Sequence, residues 1–210
     1  TVLALVGEGS HVAHFLADYP GHPSIPRSCA LAGASYEEFI DINEFAIPDN
    51  TSLVVITGST MDLQVIDEDL FTQVISRAHE KDIPVLVDDA SGARLRTAVF
   101  NQKRATDLGA DLVVTSTDKL MPGPRGGLMA GRAELIDEIK IKVNQFGLEA
   151  QPPLIMAMIN GIKAYTPEVL RKSVSRKEEF YGLISKKYEM FEKTPNGIKV
   201  QEANLANQLK

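Results

Sequence analysis

The sequence predicts an α/β fold, a three-layer sandwich in which helices cover both faces of a mainly parallel sheet. Short apolar runs that end in turn residues, such as Leu53 to Ile56, are typical of strands buried inside a parallel sheet. Amphipathic stretches separate these runs, and Asp67 to Lys81 carries its apolar residues at helical spacing. The alternation of strand and helix favours right-handed crossovers, with ligand-binding loops at the carboxyl ends of the strands.

The elements of the first half follow from apolar runs and from the glycines and prolines that punctuate them. The predicted strands are His11 to Leu16, about Tyr36 to Ile40, Leu53 to Ile56, a run from Ile83, and Leu112 to Val114. The predicted helices are Pro26 to Ala32 ended by Gly33, Asp67 to Lys81, and about Asn101 to Leu108 closed by Gly109. The opening TVLALVG is too short to assign to either class.

The second half adds a strand at Gly127 to Ala130 and several helices. These helices are Ala133 to Phe146, the QPPLIMAMINGIKAY segment, and a long helix that begins at the Thr166 and Pro167 pair and runs to about Glu192. A turn at TPNG and a strand at IKV follow. We therefore expect a large ligand-binding domain over residues 1–165, a connecting helix over 166–193, and the start of a truncated domain over 194–210.

Composition narrows the class of protein. The apolar runs are far too short to span a bilayer, and a net charge of −6 argues against a broad nucleic-acid surface. The single cysteine, Cys29, rules out an internal disulfide framework and suits a reducing compartment. We expect a cytoplasmic protein without a membrane partner, in which Cys29 is a packed helix residue.

Lys119 is the first candidate for chemistry. It follows a buried strand and three hydroxyl residues in the segment TSTDK, and such strand ends bind ligands in open α/β sheets. A desolvated lysine, with its pKa below the solution value of about 10.4, can form a Schiff base with an aldehyde. The glycines of the following GPRGG would let the backbone approach a ligand. The alternative is a solvated lysine in a turn.

Asp88 is the second candidate. Three strand ends should converge, GST from Gly58, DDASG from Asp88 and TSTDK from Thr115. Side chains alternate along a strand, so Asp88 and Ala90 share one face while Asp89 points to the other. A carboxylate with a small neighbour suits a flat aromatic ring whose protonated nitrogen it would stabilise. The alternative is that the two aspartates only cap a turn or a helix.

These motifs resemble a known family. VDDASG and TSTDKLMPGPRGG resemble the cofactor site of fold-type-I pyridoxal-phosphate enzymes. Together with PGHPSIPRS, ITGSTMD and FGLEAQPPL, they are similar to the archaeal proteins that resemble bacterial selenocysteine synthase, the L-seryl-tRNA(Sec) selenium transferase. The resemblance covers nearly the whole chain. It implies that the family's N-terminal part and most of its C-terminal domain are absent from this chain, which would be a fragment.

The resemblance implies a pyridoxal 5'-phosphate site. Lys119 would be the Schiff-base lysine, and Asp88 would contact the ring nitrogen. Ala90 would leave room for the ring to lie flat, and Ser116 would contact the phosphate. His22 would stack on the ring, with Tyr19 in reserve, and Ser59 or Thr60 would contact the phenolic oxygen. Arg125 and Arg27 are candidates for a substrate carboxylate, or are surface charges. His11 and His14 face opposite sides of a strand and are poor joint metal ligands, so we predict no metal.

The implied activity is that of a pyridoxal-phosphate-dependent transferase acting on an amino acid or aminoacyl group, by elimination and replacement at Cβ. One alternative is a lyase or desulfurase that uses the same cofactor on a free amino acid. Another is a non-catalytic scaffold that retains the fold. The family's sites lie at a dimer interface, so we expect a homo-oligomer, while the sequence leaves a tRNA partner open.

Overall fold

The computed structural model describes residues 1–208, and within that range the main sheet has six strands. They are β1 (His11–Leu16), β2 (Ser35–Phe39), β3 (Thr51–Thr57), β4 (Val85–Asp88), β5 (Leu112–Ser116) and β6 (Gly127–Gly131). Their spatial order is β2-β1-β3-β4-β5-β6, and every neighbouring pair is parallel except β5 and β6. The mainly parallel sheet predicted from the sequence is confirmed.

Helices cover both faces of this sheet. They are α1 (Val2–Leu5), α2 (Ser24–Ala32), α3 (Glu68–His79), α4 (Gly92–Ala98), α5 (Ala133–Gln145), α6 (Pro152–Ala164), α7 (Pro167–Ile184) and α8 (Glu202–Gln208), with a 3-10 helix at Ala105–Leu108. A separate antiparallel hairpin pairs β7 (Phe191–Lys193) with β8 (Ile198–Val200). No helix within residues 1–208 has both the length and the apolar content needed to cross a bilayer.

Two apolar cores hold the layers together. On one face, α1, α2 and α5 contribute buried residues such as Cys29 and Ile139, which pack with Leu53 of β3. On the other face, α3 contributes residues such as Phe71 and Val74. The three-layer sandwich is therefore confirmed, and so is the packed helical position of Cys29.

The segment after β4 differs from the prediction. The chain forms α4 directly after the DDASG motif, whereas the predicted helix at Asn101 to Leu108 is only the short 3-10 helix Ala105–Leu108. Asn101 has a left-handed backbone conformation with φ of 54°, which interrupts an α-helix. The sequence did contain a signal for α4, because GARLRTA is rich in good helix formers.

The predicted length of the long C-terminal helix was also wrong. Helix α7 ends at Ile184 rather than near Glu192, because Phe191–Lys193 leaves the helix to pair with β8. The predicted strand at IKV is confirmed as β8, and Thr194 N donates to Gly197 O at 2.9 Å across the predicted turn. The domain boundaries stay a prediction, and the end of the 194–210 region, residues 209–210, lies outside the described residues.

Candidate active site

A cavity of about 600 Å³ opens at the carboxyl ends of β1, β3, β4 and β5. Small-molecule sites typically occupy about 300–1,000 Å³, so the volume suits a cofactor with part of a substrate. The cavity is lined by all of the predicted cofactor-contacting residues, namely His22, Ser59, Asp88, Ala90, Ser116 and Lys119. The strand order explains this convergence, since β3, β4 and β5 are adjacent and end at the same edge.

Asp88 ends β4 and contributes a carboxylate to the cavity. Its side chain is half-buried and makes no hydrogen bond within the described part of the chain. Burial raises the pKa of Asp88, and the nearby charges of His22 and Lys119 act in the opposite direction. The carboxylate therefore lies within electrostatic reach of the amine, and it lacks a polar partner of its own.

Asp89 points to the opposite face, as the alternation predicted. It is fully buried, and its Oδ2 lies 3.3 Å from Nε of Arg96. Burial raises the pKa of Asp89, and the charge of Arg96 limits the rise. The two adjacent aspartates thus occupy different environments, one at the cavity and one in the core beneath it.

Lys119 lies in the segment that follows β5 and is exposed at the cavity. The described residues leave its side chain open to solvent and do not desolvate it. The segment is held by Thr117, whose N donates to Gly126 O at 2.9 Å and whose Oγ1 donates to Pro124 O at 2.8 Å. The chain thus fixes the backbone on either side of the lysine.

The glycines of GPRGG have a different use from the predicted one. They do not line the cavity, and a Cβ on Gly123 would lie 2.1 Å from Thr117 O. Glycine is therefore needed at this position because two stretches of the protein's own backbone approach each other closely. Gly123 allows the lysine-bearing segment to fold back on itself, and it does not admit a ligand.

The loop after β1 supplies the opposite wall. His22 and Tyr19 both line the cavity and both are exposed. His22 Nδ1 lies 2.8 Å from Ser24 Oγ, and Tyr19 OH donates to Glu38 O at 3.1 Å. Either ring can therefore face a ligand, and the choice of His22 as the stacking residue stays a prediction.

The two arginines suggested for substrate binding do not line the cavity. The side chain of Arg125 is 96% exposed, and its Nε lies 3.7 Å from Oδ2 of Asp118. Arg27 is an exposed residue of α2. Their positions match the alternative reading of surface charges better than a role at this cavity.

Arg94 is a residue of the site region that sequence reasoning missed. It is buried, and it donates to Ala90 O and Thr115 Oγ1 at 3.1 Å each and also to Ser116 O. Burial lowers the pKa of Arg94. The guanidinium ties the end of β5 to the loop after β4, behind the cavity. The signal was the arginine pair of GARLRTA directly after the DDASG motif.

Comparisons with known proteins show which family the chain belongs to. The SelA family model, described as L-seryl-tRNA selenium transferase, matches residues 32–205. A pyridoxal phosphate-dependent protein from Methanosphaera stadtmanae is 55% identical over 204 residues, which cover 97% of this chain and 53% of that protein. The chain spans about half the length of the curated relatives it matches.

Solved structures show the same fold at low sequence identity. YbdL from Escherichia coli, reported with a methionine aminotransferase function, gives a TM-score of 0.77 at 17% identity, covering 97% of this chain and 59% of that chain. CalE6, a methionine gamma lyase from Micromonospora echinospora, gives 0.72 at 21% identity, covering 91% and 52%. The fold is that of the fold-type-I pyridoxal-phosphate enzymes, and the chain belongs to the L-seryl-tRNA selenium transferase family of pyridoxal phosphate-dependent proteins.

Proposed function

We propose that the protein is a selenocysteine synthase-like transferase that uses pyridoxal 5'-phosphate to act on an amino acid or aminoacyl group. One observation carries the proposal: the amine of Lys119 and the carboxylate of Asp88 line the same cavity of about 600 Å³. The family description, L-seryl-tRNA selenium transferase, supports the choice of reaction class. The cytoplasmic location expected from the sequence is part of the same proposal.

The residues present fit this cofactor. Asp88 is a half-buried carboxylate without a hydrogen-bond partner in the described chain, and a protonated pyridine nitrogen would supply both the charge and the donor it lacks. Ala90 leaves space for a flat ring. The hydroxyls of Ser59 and Ser116 would bind the polar substituents, and His22 would stack on the ring.

Bound pyridoxal phosphate supplies an electron sink that stabilises negative charge on a substrate amino acid. Among the described residues that line the cavity, Lys119 is the one lysine. Its Nζ would hold the cofactor and move a proton at the substrate Cα, which requires an amine within reach of that atom. Asp88 would keep the proton on the ring nitrogen.

We also propose that the protein is a homo-oligomer. Lys119 is exposed, so a water-excluding site needs a further surface over the cavity. Exposed apolar side chains are present on α5, on α6 and between them, at Ile141, Phe146, Leu148, Ile155, Met156, Ile159 and Ile162. Exposed apolar side chains of this kind would be stabilised by contact with another protein surface, and a second copy of the chain would supply one.

Borohydride reduction followed by mass spectrometry tests the cofactor site. The full-length protein is incubated with pyridoxal phosphate and reduced, and we expect one stable adduct on Lys119. Lys119→Arg should abolish that adduct. Lys103→Arg, at an exposed lysine outside the cavity, is the matched control and should leave it unchanged. An adduct on another lysine, or no adduct, would favour the scaffold reading.

The substrate class needs a separate measurement. The visible spectrum of the cofactor-loaded protein should change on addition of seryl-tRNA and stay unchanged with free serine or cysteine. The reverse pattern would favour a lyase or desulfurase acting on free amino acids. Because adduct formation on Lys119 is measured first, a failure of the transferase assignment is distinguishable from a failure of the cofactor site.

A further inference from the structure

Four polar side chains form a chain of hydrogen bonds from the cavity to β2, on the sheet face that carries Asp88. Thr57 Oγ1 lies 2.7 Å from His14 Nε2, and Thr57 lines the cavity. His14 Nδ1 lies 2.6 Å from Tyr36 OH. Tyr36 OH lies 2.5 Å from Glu38 Oε1. These hydrogen bonds therefore connect the cavity wall, without a break, to the carboxylate of Glu38 on β2, the strand next to β1.

The carboxylate of Glu38 and the neutral imidazole of His14 determine which group donates in each of these hydrogen bonds. A carboxylate only accepts, so Tyr36 donates to Glu38. The phenolic oxygen then accepts from His14 Nδ1–H. His14 is fully buried, and burial lowers its pKa to about 3, so the ring is neutral and its Nε2 carries a lone pair. Nε2 must therefore accept the hydroxyl proton of Thr57.

Thr57 lies beside Asp88. The two residues are register partners on the adjacent parallel strands β3 and β4, and both line the cavity. Neighbouring strands lie about 4.8 Å apart, so paired side chains on one face are in contact range. The single proton of Thr57 is donated to His14, and the hydroxyl has none left for its neighbour.

We propose that Glu38, Tyr36 and His14 form a positioning chain that withholds the Thr57 proton from Asp88. The inference rests on the proposed role of Asp88 toward a ring nitrogen. A hydroxyl that donated to the carboxylate would stabilise its charged form and weaken its hold on the proton of a bound ring. The wall formed by Thr57 and Asp88 presents acceptors only, so it selects a heteroaromatic ring with an N–H at that edge.

Gly21, in the loop between β1 and α2, lies close to two of these hydrogen-bonded side chains. A Cβ on Gly21 would lie 2.6 Å from Oε1 of Glu38 and 3.2 Å from Cε1 of His14. The loop that carries His22 therefore packs directly on the hydrogen-bonded side chains. The titratable groups that face Asp88 are His22 from this loop and Lys119 from the segment after β5.

The first test measures the tautomer of His14. Nitrogen NMR of the imidazole in the cofactor-free, full-length protein should show a neutral ring with the proton on Nδ1. A proton on Nε2, or a charged ring at neutral pH, would overturn the proposal, because either state leaves Thr57 free to donate to Asp88. The measurement needs no variant and no catalytic activity.

The second test follows the titration of the Asp88 carboxyl carbon by NMR. Tyr36→Phe removes the acceptor of His14 Nδ1–H, so the ring can donate from Nε2 to Thr57 and let Thr57 donate to Asp88. The midpoint for Asp88 should then move to lower pH. Thr57→Val alone should leave the midpoint where it is, and the double variant should restore it.

Two results would contradict the proposal in this titration. An unchanged midpoint in Tyr36→Phe would show that the chain does not control the Thr57 proton. A higher midpoint in Thr57→Val would show that Thr57 already donates to Asp88 in the wild-type protein. Both are measured without cofactor, so neither depends on the proposed transferase activity or on adduct formation at Lys119.

Discussion

Asp88 and Asp89 are adjacent in the chain and lie in opposite environments. Asp88 faces the cavity, is half-buried and has no hydrogen-bond partner in the described residues. Asp89 is buried in the core on the other face, where it pairs with Arg96, whose guanidinium lies 4.5 Å from the Phe71 ring centroid. An unpartnered carboxylate is available to a ligand, whereas a paired one holds the fold.

The surroundings of Asp89 show how closely the fold is fitted to it. A Cβ on Gly58 would lie 2.1 Å from Oδ1 of Asp89, and a Cβ on Gly92 would lie 1.9 Å from the same atom. Arg96 Nη2 also donates to Gly58 O at 3.4 Å. The buried pair thus joins the end of β3 to the start of α4, and it supports the floor beneath the cavity.

Asp89→Ala should give the largest loss of stability. It leaves the guanidinium of Arg96 buried without its carboxylate, and removal of one partner of a buried pair costs about 3–5 kcal/mol. Urea unfolding of the cofactor-free protein measures the loss. The matched control is Asp88→Ala, which removes a carboxylate without a partner and should cost far less. If both variants lost the same free energy of unfolding, the two aspartates would not differ in their contribution to stability.

Gly92→Ala should destabilise the protein by about 1–3 kcal/mol, the usual cost of forcing extra volume into a packed site. The added methyl meets Oδ1 of Asp89, and the other oxygen of that carboxylate pairs with Arg96, so the carboxylate cannot move away without disturbing the buried pair. Gly182→Ala is the control, since nothing lies within 4 Å of a Cβ there and the residue is within helix α7. That change should raise stability by about 0.5–1 kcal/mol. If Gly92→Ala left the free energy of unfolding unchanged, the residues around Asp89 would be packed more loosely than these distances indicate.

The sequence predicted the position of Asp88 at the cavity better than it predicted the surroundings of Asp89 in the core. Asp88 and Lys119 follow from local rules, because Asp88 ends one recognisable strand, Lys119 lies shortly after another, and the two strands are neighbours in the sheet. Asp89 was placed on the opposite face by alternation alone. Its partner Arg96 lies in α4, which the sequence analysis missed, so the buried pair could not be predicted.

Contacts between distant parts of the chain explain the remaining misses. The chain from Thr57 through His14 to Tyr36 joins three strands, and its residues are 43 and 22 positions apart in sequence. No periodicity signals such a contact, and His14 alone suggested only a poor metal ligand. Arg125 was a candidate for a substrate carboxylate or a surface charge, and its exposed position outside the cavity favours the second alternative.

Asp111 is a fully partnered aspartate outside the cavity and should show a pH dependence opposite to that of Asp88. Its carboxylate accepts from His79 Nε2 and Val85 N at 2.8 Å each and from Arg132 Nη1 at 3.3 Å. Burial acts to raise the pKa of Asp111, but these hydrogen bonds outweigh it, and the pKa is lowered from the ordinary value of 3.8. The carboxylate therefore stabilises the fold above pH 3.8, and this contribution is lost as the pH falls through the lowered pKa.

Asp111→Asn should cost about 1–2 kcal/mol at neutral pH, because hydrogen bonds to a charge are lost but His79 and Arg132 are partly exposed and screened. The difference between wild type and variant should shrink toward acid pH. Urea unfolding across a pH series measures it. A cost that is the same at all pH values would show that the charge of Asp111 contributes nothing.

Asp88→Asn should give the smallest change, and its sign is reversed. The pKa of Asp88 is raised by burial, so the unfolded chain ionises first and the folded state loses stability as the pH rises above the ordinary value of 3.8. The amide removes this cost, and the cofactor-free variant should be slightly more stable than wild type at neutral pH, with no difference in acid. Pyridoxal phosphate should reverse the order, because only wild type has the carboxylate that would pair with the ring nitrogen and so gains more stability on binding. A cofactor-free variant that is less stable than wild type would mean that Asp88 already has a stabilising partner in the protein.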